Sequence, residues 1–247
     1  MINLNIKKHF FIDYLDGFTD IHSHLLPDID DGVQNTDHSI YIINRLADYG
    51  VKNFITTPHI MADIYPNTRH TIKNSLKILE MEMENKGLND ISIHVAAEYM
   101  LDTNFNTLLD KNELLPLKDN YLLIELSYYQ PPISLENTIH KIVDSGYIPV
   151  LAHPERYNFF HNKLNIYYEL KSMGCTFQMN ALSLNNYYGK YVKKTGRYLL
   201  QEGLIDFIGT DIHHAYHTRE ITDMALSNES LKLILPVIEN TKNIFSL

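Results

Sequence analysis

Apolar residues along the chain fall into two alternating patterns. Short runs rich in β-branched and aromatic residues occur at 19–23, 53–57, 91–96, 121–125, 148–152, 176–180 and 206–209, and each is predicted as a strand. Several are nearly continuous, such as Tyr121-Leu122-Leu123-Ile124 and Ile148-Pro149-Val150-Leu151-Ala152, as expected of parallel strands covered on both faces. Between the runs the apolar spacing lengthens to the helical period. Thr36 is the expected N-cap of a helix whose stripe runs Ile40, Ile43, Leu46 and Ala47 before Gly50. Leu76, Leu79 and Met83 mark a second helix that stops at Gly87. Ile139, Ile142 and Val143 mark a third before Gly146, and Leu199 and Leu200 a fourth before Gly203.

The repeated order of helix, glycine, short gap and strand is that of βα units, so the predicted fold class is α/β. Seven or eight such units in 247 residues point to a closed barrel, with an open doubly wound sheet as the competitor. No low-complexity linker or shift in composition divides the chain, which predicts a single domain over residues 1–247. Residues 1–18 read as an extension ahead of the first strand, and residues 229–247 as a closing helix and tail.

Charge narrows the partners. The chain carries 21 Lys+Arg against 30 Asp+Glu, a net charge of −9, and shows no local basic patch, so nucleic acid is not an expected partner. No apolar run reaches the roughly 18 residues of a membrane span. Asp13 and Asp16 interrupt Phe10-Phe11-Ile12 too early for a secretion signal, and the expected location is cytoplasmic. The single cysteine, Cys175, excludes an intrachain disulfide framework and every multi-cysteine zinc module. It also lacks the arginine six residues on that a cysteine phosphatase needs, since position 181 is Ala181. Cys175 is therefore expected to be a packed core thiol.

The strongest chemical signal is Asp20-Ile21-His22-Ser23-His24. Side chains alternate along a strand, so His22 and His24 project the same way and can share a metal ion. A similar arrangement returns at Asp211-Ile212-His213, just after the last predicted strand. His59, Glu98, Glu125 and His153 follow or end the second, third, fourth and fifth strands. In a βα barrel those strand ends share one mouth. A lone rim histidine is more often a satisfied structural residue, but five histidines and several carboxylates together are a costly polar cluster unless cations neutralise it. Imidazole and carboxylate donors without thiolate suit Mn²⁺, Fe or Zn²⁺, and the donors outnumber what one tetrahedral ion takes. Closely spaced divalent ions are a recurrent solution for phosphate-ester hydrolysis.

These motifs, with Asp30-Asp31-Gly32, Thr57-Pro58-His59, Ala97-Glu98, Ile124-Glu125 and Ala152-His153-Pro154-Glu155-Arg156, resemble the polymerase-and-histidinol-phosphatase (PHP) superfamily. More closely, the chain is similar to the bacterial manganese-dependent protein tyrosine phosphatases of capsule and exopolysaccharide operons, from about Thr19 to Arg219. The resemblance implies a distorted (β/α)7 TIM-like barrel of the PHP type holding three divalent ions, Mn²⁺ ahead of Fe or Zn²⁺. By the same resemblance, His22, His24, Glu98 and Asp211 would bind the first ion. Asp31, His59 and His213 would bind the second, and Glu98, Glu125 and His153 the third, with Glu98 bridging. Arg156 and Arg219 would bind phosphate. The implied substrate is phosphotyrosine on a protein, the tyrosine-rich tail of a bacterial capsule tyrosine kinase.

Three rivals remain at this level: another PHP phosphoesterase such as histidinol phosphatase, a metal-dependent amidohydrolase, and a noncatalytic regulator. An amidohydrolase usually needs a bridging lysine or another ligand from the fourth strand, which here ends in Glu125; a regulator would be expected to lack a ligand or arginine, and none is missing. Tyr65 would sit at the mouth, either against a substrate ring or covering the start of the second helix.

Overall fold

The structure is a computed structural model that describes residues 8–247. In chain order the elements are β1 (His9–Phe10), β2 (Thr19–Asp20), α1 (Thr36–Ala47), β3 (Asn53–Thr56), β4 (His59–Ile60), α2 (Arg69–Asn85), β5 (Ser92–Val95), β6 (Glu98–Met100) and α3 (Thr103–Asp110). There follow β7 (Tyr121–Glu125), α4 (Leu135–Asp144), β8 (Ile148–Ala152), α5 (Asn165–Ser172), β9 (Thr176–Asn180), α6 (Lys190–Gln201), β10 (Phe207–Gly209), α7 (Ala215–Thr222), β11 (Ala225–Leu226) and α8 (Asn228–Phe245).

All seven predicted strands form, and they are parallel neighbours. One sheet has the order β2-β3-β5 and the other β4-β6-β7-β8-β9-β10. β3 resumes as β4 and β5 as β6 after short breaks, so the two sheets are successive stretches of one circle. The circle closes beyond β10, where Ser23 and Ile212 form a parallel bridge. There the Asp211 N–H donates to the His22 carbonyl (2.7 Å) and the His24 N–H to the Ile212 carbonyl (2.9 Å). This is the distorted seven-stranded α/β barrel expected from the sequence, with closure by isolated bonds where a regular barrel has a ladder.

The alternation of side chains explains the layers. Leu122 and Ile124 of β7 join the large core under the helices, whereas Leu123 joins a second, interior cluster with Ile21, Ile55, Ala96, Val150 and Phe207. Phe245, from the end of α8, enters the same cluster and packs edge-on against Phe207 and Tyr121, with ring centroids 5.0 and 5.4 Å away. It forms a floor at the strand starts, opposite the mouth. Burying a phenylalanine in this way stabilises the fold by about 1.5–3 kcal/mol.

Local differences from the sequence reading are small. The N-cap of α1 is Asn35, whose side chain accepts from the His38 N–H (3.0 Å), and Thr36 is the first helical residue. Residues 1–7 of the expected extension lie outside the described residues, but residues 9–18 pack against the barrel as a separate two-stranded sheet and a buried turn. β1 pairs antiparallel with β11, and Phe11, Ile12, Leu15 and Phe18 are buried in the core. α3, α5 and α7 were not predicted, since eight residues each are too short to show a stripe.

Candidate metal centre

The nine predicted donors all come to the mouth. Ligand atoms lie within 4.8 Å of one another in four groups: His24, Asp31, His59 and His213; His22, His24 and Asp211; His22, Glu98 and His153; and His59, Glu98 and Glu125. The first two groups resemble the predicted sets. The third predicted set is divided, because Glu98 and Glu125 meet His59 while His153 meets Glu98 beside His22.

Glu98, fully buried, is the hub. Its Oε2 lies 3.2 Å from His22 Nε2, 3.5 Å from His24 Nε2 and 3.1 Å from His59 Nδ1, and its Oε1 lies 3.0 Å from His153 Nε2. Asp211 Oδ1 stands 3.3 Å from His22 Nε2 and 3.4 Å from His24 Nε2.

Neighbouring polar groups fix which nitrogen faces inward. His22 Nδ1–H donates to Gln178 Oε1 (2.7 Å), and His24 Nδ1–H to Asp30 Oδ2 (2.8 Å). His213 Nδ1–H donates to the Asp211 carbonyl (2.9 Å). The Nε2 atoms of His22 and His24 are thus both turned inward, only 3.4 Å apart. Asn180 Nδ2–H donates to Asp211 Oδ2, and Asp20 is buried against the backbone N–H and hydroxyl of Thr210.

This arrangement fits divalent cations. The outer nitrogens of His22 and His24 are spent, their inner lone pairs converge with two carboxylates, and Glu98 Oε2, Glu125 Oε1 and His59 Nδ1 are buried without a well-directed hydrogen bond. Only positive charge placed among them satisfies all of these atoms together. The electrostatics agree. Burial opposes the protonation of His24, yet Asp30 beside it lifts its pKa well above the usual imidazole value. Burial, with Glu98 nearby, pushes Glu125 up to about 7.

Backbone features make room for the cluster. A Cβ on Gly209 would lie 2.7 Å from the Cβ of His22, and one on Gly32 would lie 2.4 Å from the His24 carbonyl oxygen. Glycine at these positions lets the Asp30–Asp31 turn and the end of β10 approach the two histidines. His153 and Asp211 have positive φ values of 35° and 52°. Neither is glycine, and His153 precedes a proline, so both are held in costly conformations where they serve the site.

Seven of the nine donors, all but the fully buried His22 and His24, line a cavity of about 530 Å³ whose outer wall is aromatic, including Tyr65, Tyr128, Tyr187, Tyr188 and Tyr216. Tyr65 stacks on His59, with ring centroids 5.6 Å apart. Arg156 also lines it. Its guanidinium lies 4.8 Å from the ring centre of Tyr128 and 4.4 Å from that of Tyr188, and Nη1–H donates to Asp211 Oδ2 (2.9 Å).

Arg219 does not reach this mouth, contrary to the expectation. Its side chain is 84% exposed, pairs with Asp223 and borders a separate surface depression. The reason is helical phase: His217 of α7 lines the cavity, and Arg219 two residues on points about 200° away. The orienting role of Asp30, whose motif the sequence shows, and the places of Gln178, Asn180 and the rings around Arg156 were not identified from sequence. Gln178 and Asn180, polar at alternate positions of a buried strand, were the available signal.

Cys175 is buried, and burial pushes its thiol up to about 12. The folded protein should resist alkylation at neutral pH, and Cys175→Ser should leave turnover within about twofold. Loss of turnover in a folded, metal-loaded Cys175→Ser protein would refute the metal-centred reading.

Tyrosine-protein phosphatase YwqE of Bacillus subtilis (strain 168) is 31% identical over 208 residues, covering 81% of this chain and 81% of that one. Tyrosine-protein phosphatase CpsB of Streptococcus pneumoniae is 30% identical over 202 residues, covering 79% of this chain and 82% of the relative. A solved structure from work on YwqE from B. subtilis and CpsB from S. pneumoniae, described as metal-dependent tyrosine phosphatases, superimposes with a TM-score of 0.80. Its identity is 27%, with 92% of this chain and 94% of that chain covered. The model of the family "Capsular polysaccharide synthesis, CpsB/CapC" matches residues 18–229, from just before β2 into the first turn of α8. The chain belongs to the CpsB/CapC family of capsular polysaccharide synthesis proteins.

Proposed function

We propose that this chain is a metal-dependent protein-tyrosine phosphatase, a single domain that hydrolyses phosphotyrosine on a protein, with the tail of a bacterial capsule tyrosine kinase as its substrate. The observation that carries this reading is the convergence of His22, His24, Asp31, His59, Glu98, Glu125, His153, Asp211 and His213 at the base of an aromatic-walled cavity containing Arg156. These nine residues would hold three divalent ions, Mn²⁺ ahead of Fe or Zn²⁺. When bound, such ions supply an activated water and brace the phosphoryl oxygens.

The chain's own residues do the rest. Arg156 presents a guanidinium fork to the nonbridging oxygens, while its bond to Asp211 and the rings of Tyr128 and Tyr188 hold the plane in place. The tyrosine wall excludes water from one side and offers faces to the substrate ring. A phenolate of pKa about 10 leaves readily, so little proton donation is demanded of the protein. The aromatic wall favours a phosphotyrosine substrate over histidinol phosphate. We assign the activity to the cytoplasm, the compartment of the proposed kinase tail and one in which a lone unpaired thiol is ordinary.

The test is phosphate release from a phosphotyrosine peptide by metal-stripped protein, with Mn²⁺ restored and histidinol phosphate assayed in parallel. Turnover of the peptide that requires Mn²⁺ and is lost in His22→Ala is expected. Turnover confined to histidinol phosphate would move the chain to another branch of the superfamily, and metal binding without any turnover would favour a regulator.

A further inference from the structure

α6 differs from the other long helices in where its charge lies. Lys190, Lys193, Lys194 and Arg197 are spaced i, i+3, i+4 and i+7, and all four are exposed, forming one stripe roughly 10 Å long. α6 contains no Asp or Glu, whereas α2 and α8 mix lysine with glutamate. Arg197 pairs with Glu229, but Lys190, Lys193 and Lys194 have no carboxylate partner among the described residues.

Helix stability does not explain the stripe. The positive end of a helix dipole favours acidic residues, and α1, α4 and α8 place Asp37, Glu136 and Glu229 in their first turns. α6 places lysines there instead. The stripe also begins at the cavity rim: Tyr187 and Tyr188 line the cavity, and Lys190 follows two residues later. On a chain of net charge −9 an acidic polypeptide meets general repulsion, and this face beside the mouth, denser in charge than the Arg69, Lys73 and Lys77 row of α2, is a local exception. The sequence reading missed it because the cations gather on one face only when α6 is wound.

We propose that the outer face of α6 docks acidic residues flanking the phosphotyrosine of a polypeptide substrate. The inference rests on the phosphatase reading of the cavity and names the chemistry of the segment around the scissile ester. An extended chain rises about 3.3 Å per residue, so the stripe matches about three residues leaving the rim. Its effect falls on capture, since rim charges chiefly set association and its salt dependence.

The experiment compares the wild type with Lys190→Glu/Lys193→Glu/Lys194→Glu and with a control of equal net charge, Lys77→Glu/Lys86→Glu/Lys232→Glu. Substrates are a phosphotyrosine peptide flanked by glutamates, the same peptide with glutamines, and 4-nitrophenyl phosphate, all with Mn²⁺ at low ionic strength. The wild type and the control should prefer the acidic peptide by about tenfold in kcat/KM, through KM, and the preference should fade with salt. The α6 variant should lose it while hydrolysing 4-nitrophenyl phosphate at the wild-type rate. Equal preference in the wild type and the α6 variant would overturn the proposal, as would an equal loss in the control. If nothing is turned over, the phosphatase reading fails, and fluorescence anisotropy of the labelled acidic peptide decides docking by itself. Weaker binding by the α6 variant alone upholds the proposal, and equal affinities overturn it.

Discussion

Glu98→Gln should lower Mn²⁺-dependent turnover about a thousandfold or more and leave the protein short of metal. Glutamine keeps the shape of the side chain but removes the charge that stands between His22, His24, His59 and His153. Its amide also turns two hydrogens toward groups that must accept a cation. No other donor belongs to two groups through a carboxylate, so the loss spreads across the cluster. A thousandfold loss corresponds to about 4 kcal/mol of transition-state stabilisation, within reach of a metal centre acting on phosphoryl oxygens. Elemental analysis and turnover should be measured on the same sample, with the melting temperature as the check on folding. A fully loaded and active Glu98→Gln protein would show that Glu98 is not the hub.

Arg156→Ala should lower kcat by about a hundredfold to a thousandfold, the range seen when one fixed donor to a developing oxyanion is removed. Arg156→Lys should recover little of this. Lysine keeps the charge but neither forks across two oxygens nor lies flat between Tyr128 and Tyr188. The surrounding rings make the point separable: Tyr188→Phe keeps the face and should retain most activity, whereas Tyr188→Leu should lose it through kcat with the metal content intact. Unchanged kcat in Arg156→Ala would remove the arginine from the reaction.

Legibility followed the strength of the local pattern. The seven strands were readable because each is a buried run bounded by polar or glycine residues, and the HxH motif was readable because alternate residues of an extended segment face one way, although β2 itself ends at Asp20 and the two histidines flank the isolated bridge at Ser23. β4 and β6 were hidden: they are two and three residues long and resume after a break. The side-chain phase of α7, which turns Arg219 outward and His217 inward, could not be read from a helix too short to show an apolar stripe. The left-handed turns at His153 and Asp211 leave no mark in composition, because they are imposed by packing on residues that ordinarily avoid them. The partners of His22 and His24 come from positions as distant as Gln178 and as near as Asp30, and only the closed circle shows that both do the same work.

The floor laid by Phe245 orders events during synthesis. By the time Gly209 and Ile212 have left the ribosome every strand of the circle exists, yet the interior cluster is still open to water at one end. Sealing waits for α8, more than thirty residues later, so a nascent chain halted in between holds all nine donors over an unfinished base. Quality control that senses exposed apolar surface would find such a chain even though each of its donor residues had already been made.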